Sequence, residues 1–65
     1  TNADALIGRV GRVSHAVDNA AGIGRVTIDG DDWRAVSSDD TVVIPVGQPV
    51  EVVHRDSIVL TVKPQ

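Results

Sequence analysis

Cysteine, methionine, phenylalanine and tyrosine are all missing from these 65 residues, and a single tryptophan, Trp33, is the whole aromatic complement. Without cysteine there is no disulfide framework and no thiolate site. Two histidines and no cysteine are a poor basis for a structural zinc site. No apolar run reaches the length of about 18 residues that a membrane-spanning helix needs. Positive charge is also scarce. Six Lys and Arg against nine Asp and Glu leave a net charge of −3, and the cations are scattered along the chain. Binding to a phosphate backbone relies on clustered Lys and Arg that displace counterions, so both the sign and the spacing argue against it.

What is present is valine, supported by isoleucine and threonine. These β-branched side chains are stiff at χ1 and pack well on a pleated surface, so the composition points to an all-β domain. The length allows one domain, and a chain of this size buries only about 60% of its unfolded surface. Residues 1–5 read as a linker remnant and 6–64 as the domain. The sequence starts at Thr1 without a signal-peptide pattern, which suggests a piece cut from a longer protein.

Along the chain, LIGRVGRVSHAV (6–17) reads as a first strand whose alternation slips at Gly11, the mark of a bulge or a bend. DNAAGIG (18–24) is a loop. RVTIDGDDWRAVS (25–37) is a hairpin hinged on Asp29-Gly30. A two-residue type I′ turn there pairs Val26 with Trp33, while a turn at Gly30-Asp31 or over 29–32 pairs Ile28 with Trp33. Each register places Val26, Ile28, Trp33 and Ala35 on one apolar face. Residues 37–49 are too short and too proline-rich for a three-turn helix, and Ile44-Pro45-Val46-Gly47 fits a type I turn. The last third gives two strands. A three-residue loop, Arg55-Asp56-Ser57, pairs His54 with Ile58, Val52 with Leu60 and Val50 with Val62, keeping one apolar face. Five strands in this order predict an OB-like Greek-key barrel lacking the usual helix between strands 3 and 4, with an SH3-like barrel as the other five-stranded solution.

No group of residues carries catalytic chemistry. Gly22-Ile23-Gly24 is followed by a strand rather than the helix a phosphate loop requires. Ser37 and Ser38 have no neighbouring base, and Asp29, Asp31, Asp32, Asp39 and Asp40 lack calcium-loop spacing. His15 and His54 could approach each other across strands 1 and 4, but two imidazoles alone rarely hold a metal. No cofactor is expected. Trp33 is the core aromatic, its indole N–H meeting a backbone carbonyl or the barrel rim. The candidate interface combines Val36, Val53 and Val59, which point away from the core, with Val43 and Val46 of the irregular segment, where Val42 also lies. Such residues matter if they form one patch.

The order LIGRVGRV, GRVTIDGDDWRAVS, IPVGQPVEVV and SIVLTVKP resembles the C-terminal soluble domain of NfeD-type membrane proteins over Leu6 to Pro64. The Arg55-Asp56-Ser57 loop departs from that pattern, which has a glycine there. The resemblance implies an OB barrel tethered behind the parent protein's own transmembrane region, on the cytoplasmic side. Its implied partner is a stomatin- or flotillin-like (SPFH) membrane protein, with weak homo-oligomerisation through the parent. Longer members of the family add a serine protease domain, to which none of these residues belongs. The expected role is a non-catalytic protein-interaction module in membrane organisation or quality control, with no nucleic acid bound. The competing reading is a nucleic-acid-binding OB domain, which requires Arg9, Arg12, Arg25 and Arg34 to converge beside an exposed Trp33.

Overall fold

Alternating valines and isoleucines can bury one face of a sheet only if the sheet meets another layer, and here it closes on itself. The computed structural model describes residues 5–65. Five strands make up the barrel: β1 (Val10–Asp18), β2 (Ile23–Ile28), β3 (Asp31–Ser37), β4 (Pro49–Asp56) and β5 (Val59–Pro64). They run in the order β1-β2-β3-β5-β4, with β4 returning to β1. The β3–β5 pair is parallel and all others are antiparallel. This is the predicted OB-like barrel, and no helix occurs among the described residues, including the connection between β3 and β4. Of the lead-in, residues 1–4 lie outside the described residues.

The core is wholly aliphatic apart from Trp33 at its margin. Val17, Val26, Ile28, Ile44, Val50, Val52, Leu60 and Val62 are fully buried, and Leu6, Trp33 and Val42 pack against them half-buried. Each such Val, Ile or Leu contributes roughly 1.5–3 kcal/mol by leaving water.

The β2–β3 hairpin follows the type I′ expectation. Val26 pairs with Trp33 and Ile28 with Asp31, and φ is positive at both Asp29 (50°) and Gly30 (86°).

Four expectations need correction. Strand 1 starts at Val10, because residues 5–8 form a turn in which the Arg9 N–H donates to the Leu6 carbonyl. Its register irregularities lie between Val13 and His15 and between His15 and Asp18, beyond Gly11. The glycine has a different task. A Cβ there would lie 2.2 Å from the Thr27 carbonyl oxygen and 2.4 Å from Ile28 Cδ1, so it lets β2 pass close. The turn near Pro45 is shifted by one residue: the Gln48 N–H donates to the Pro45 carbonyl, and Gly47 takes φ 89° at the third position, as in a type II turn. The type I alternative needs the Gly47 N–H, which donates instead to Val13 of β1.

The fourth correction concerns β4 and β5. Their loop is Ser57-Ile58, closed by an Asp56–Val59 pair, and Val52 faces Val62. A bulge at Val53 sets Val53 and His54 against Thr61 alone. Val52 therefore sits two residues from its expected partner. A shift of two preserves faces, which is why Val50, Val52, Leu60 and Val62 are buried as anticipated. His54, beyond the bulge, turns outward, and Ile58 at the turn is 70% exposed.

Gly11→Ala is expected to cost about 2 kcal/mol or more, because backbone cannot move aside. Gly30→Ala, where nothing lies within 4 Å of the added methyl, should cost about 1 kcal/mol from its positive φ alone. Urea unfolding of the two variants checks the order; equal losses would refute the close-approach account.

Candidate functional site

The outer face of the sheet is written by the residues that alternate with the core. On β2 and β3, Arg25 and Arg34 are cross-strand partners, and β5 places Val59 opposite Arg34 and Thr61 opposite Val36. On β4, Val53 and His54 stand against Thr61. Val36, Val53 and Val59 are thus gathered, half-buried, around Thr61 on the outer surface of β3, β5 and β4. Val43 and Val46, 57% and 65% exposed, are not part of this group. They belong to the crossing segment, which lies along β1: Ile44 bridges Val17, and Gly47 bonds Val13. The five candidate valines therefore form two groups.

Two like charges placed directly opposite on neighbouring strands repel, and the two arginines are relieved differently. Arg25 Nε forms an ion pair with Asp32 at 2.5 Å, and Asp32 also accepts from the Ser14 hydroxyl at 3.1 Å. The Arg25 hydrogen bond, with the Ser14 bond and the nearby charges of Arg25 and His15 assisting, holds the Asp32 carboxyl below its ordinary value of 3.8. Among the described residues, Arg34 meets only backbone. Its Nη1 donates to the carbonyls of Ala35 (2.8 Å) and Gly24 (3.3 Å), and its Nη2 to that of Gly22 (3.2 Å).

Two shallow grooves share this arginine pair. One is lined by Arg25, Asp31, Asp32, Trp33, Arg34 and Ile58. The other is lined by His15, Gly22, Ile23, Gly24, Arg25 and Arg34. Ile23 is 51% exposed at the mouth of the second, so each groove couples an exposed isoleucine to the same two guanidinium groups. Sequence reasoning missed both isoleucines: Ile23 lies in what reads as loop, and Ile58 carries the alternation of a buried strand.

Trp33 is half-buried against the core, with the Arg55 guanidinium 5.0 Å from its ring centroid. Arg55 is opposite Leu60, on the inward phase that the Val53 bulge gives it. The expected carbonyl partner for the indole is not there: Nε1 is buried without a hydrogen-bond partner among the described residues. Arg9 pairs with Asp29 at the β2–β3 turn and Arg12 donates to the Gly47 carbonyl. The four arginines do not converge beside an exposed tryptophan.

The remaining sequence candidates are structural. Asn19 accepts from the Ser37 N–H at 2.8 Å and donates to the Ser37 carbonyl at 2.8 Å and to Asp40 at 2.7 Å. It thereby ties the β1–β2 loop to the end of β3. Asp39 accepts from the Thr41 hydroxyl and N–H, bonds that hold its carboxyl below 3.8. His15 is opposite Arg25 and His54 opposite Thr61. No cluster of three metal-ligating side chains occurs among the described residues.

A family model described as the NfeD-like C-terminal, partner-binding domain matches residues 3–64. Among solved structures, the soluble domain of a Corynebacterium glutamicum membrane protein implicated in regulation of membrane protease activity is similar at TM-score 0.85 and 32% identity, over 95% of this chain and 97% of that one. The soluble domain of the NfeD protein YuaF from Bacillus subtilis gives TM-score 0.83 and 38% identity, over 98% and 79%. The C-terminal domain of stomatin operon partner protein 1510-C from Pyrococcus horikoshii gives 0.80 and 27%, over 95% and 91%. A search of curated proteins gave no match.

Two measurements check this geometry. A carboxyl-detected NMR titration should place the Asp32 midpoint below 3.8, and Arg25→Ala should move it upward. Because folding lowers this value, the linked stability is present above the unfolded value and lost as pH falls through the folded one; an unmoved midpoint in the variant would discard the Arg25 cause. Trp33→Phe removes the unpartnered N–H along with some contact area, so it should cost about 1 kcal/mol or less, against about 3 kcal/mol for Trp33→Ala. Chemical denaturation followed by circular dichroism reads both, and equal costs would argue that the indole nitrogen is satisfied.

Proposed function

The chain belongs to the NfeD-like C-terminal, partner-binding domain family, and from that membership we propose that it is the non-catalytic, soluble interaction barrel of a membrane-anchored protein. The proposed partner is a stomatin- or flotillin-like (SPFH) membrane protein, and the proposed setting is the cytoplasmic face, behind the parent protein's own transmembrane region. The role is membrane organisation or quality control, and residues 6–64 act as the working unit. The membrane link is supported by the relatives described as soluble domains of membrane proteins, and the partner class by the stomatin operon partner domain.

The observation that carries the reading to a surface is the gathering of Val36, Val53 and Val59 around Thr61, next to Arg34. Apolar side chains grouped on the outer face of a small barrel are unusual unless something covers them. Val43 and Val46, on the crossing segment along β1, form a second, separate candidate surface, and weak self-association through the parent protein would use one of these apolar groups. No observation favours a nucleic-acid role, since Arg25, Arg9 and Arg12 are engaged with Asp32, Asp29 and Gly47 respectively.

An amide NMR titration tests this. With the soluble part of a stomatin-like protein from the same genome, shifts should cluster at Val36, Val53, Val59 and Thr61. Shifts confined to Val43–Gly47 would move the site to the crossing segment. A titration that moves no amide would reject the stomatin-like partner, and shifts on adding a single-stranded oligonucleotide in its place, centred on Arg25 and Arg34, would favour the nucleic-acid reading.

A further inference from the structure

A guanidinium carries five N–H donors in a fixed planar fork. Arg34 Nη1 donates to the carbonyls of Ala35 and Gly24, and Nη2 to that of Gly22. Gly22 and Gly24 are near neighbours in sequence, so the Nη1–Nη2 end of the fork faces their backbone. The Nε–H and the second Nη2–H flank the other edge, and neither has a partner among the described residues. Those two donors run parallel, the geometry that meets a carboxylate with two hydrogen bonds. No carboxylate lies within ion-pair distance of Arg34 among the described residues, whereas the neighbouring Arg25 is neutralised by Asp32.

We propose that Arg34 is a carboxylate-binding residue: its unbonded Nε/Nη2 edge receives one Asp or Glu side chain of a partner protein, and apolar residues on either side of that acid pack on Ile58 and Ile23. This inference rests on the partner-binding reading and adds the chemistry of the contact. Charge complementarity selects the occupant, because Arg34 is a cation held rigidly by backbone and lining both grooves. Asp31 and Asp32 also line the Ile58 groove, and their charge would repel a second carboxylate there. The outer valines continue the same surface, since Val59 is directly opposite Arg34.

In an extended peptide, alternate residues share a face, so the probe is acetyl-Leu-Ser-Glu-Ser-Leu-amide, with the peptide carrying Gln in place of Glu as its control. Titrated into the isotope-labelled 65-residue chain, the Glu peptide should shift the Arg34 Nε–H together with the amides of Ile23 and Ile58, saturably and at millimolar concentration. The Gln peptide should bind about tenfold more weakly, the change expected when a charge-assisted pair becomes neutral. Arg34→Gln removes both the charge and the fork, and should abolish the difference between the peptides. Should that variant fail to fold, Ile58→Ser, at a largely exposed side chain, should weaken the Glu peptide severalfold while leaving amide dispersion intact. Equal binding of the two peptides, absence of shifts, or shifts centred elsewhere would overturn the proposal. So would concentration-dependent shifts at these residues without peptide, which would make a second copy of the chain the occupant. If the stomatin-like protein binds at the valines while the Glu peptide moves nothing, this inference fails and the function stands. If the peptide binds and the stomatin-like protein does not, the site stands and the partner is wrong.

Discussion

Everything in this domain depends on closing a five-stranded sheet within a very short chain. Closure is concentrated at Arg12, the residue of β1 that pairs on both sides, with Thr27 of β2 and Pro49 of β4. Next to it, Gly11 lets the Thr27 carbonyl approach to a distance that no side chain would permit. Beyond Arg12 β1 leaves β4, and the crossing segment takes its place through Val13 and Val17. The aliphatic core follows from this geometry. A barrel of this size leaves room for valine and isoleucine layers and has little use for aromatic bulk, so the one tryptophan sits at the margin of the core.

Local chemistry and global phase agree in the first hairpin and conflict in the second, which decides how far the sequence could be read. Every register open to this hairpin puts Val26, Ile28, Trp33 and Ala35 on one face, so the faces were legible, and positive φ at Asp29 and Gly30 selects the Val26–Trp33 register among them. In the β4–β5 hairpin, a two-residue loop by itself would put the apolar sets on opposite faces. The Val53 bulge restores the phase on the far side. Nothing in the run of valines marks where the extra residue belongs, so alternation alone favoured an odd loop. The resulting error of two residues left the core intact, misplaced His54 and Ile58, and put Arg55 and Asp56 in the loop instead of at the end of β4. The turn at Pro45 was misread for a related reason: its hydrogen-bond partners are fixed by β1, more than thirty residues earlier in sequence.

The candidate surface was legible to the same depth. Strand alternation sufficed to put Arg25 and Arg34 outward on adjacent strands and to send Val36, Val53 and Val59 the same way. Which arginine is neutralised could not be read, because Asp29, Asp31 and Asp32 all lie within seven residues of both Arg25 and Arg34. Only the fold hands Asp32 to Arg25 and Asp29 to Arg9. The division of the five valines between strands and irregular segment was readable, but where that segment runs was not, since it depends on Ile44 crossing to Val17.

Closure also determines how such a domain can recognise a partner. An open sheet offers its edge, and a peptide can add to it as another strand. Here both edges of the sheet are joined, and the crossing segment covers the stretch of β1 that β4 leaves. On the proposed reading recognition comes from side chains on the outer face, where small valines give area but little direction. Direction requires a polar group whose position is fixed before binding, because ordering a long flexible side chain at the moment of contact costs affinity. Arg34 meets that condition. Three backbone carbonyls hold its guanidinium, and Nε has no partner among the described residues, so the rigidity of the closed barrel reaches this half-buried side chain.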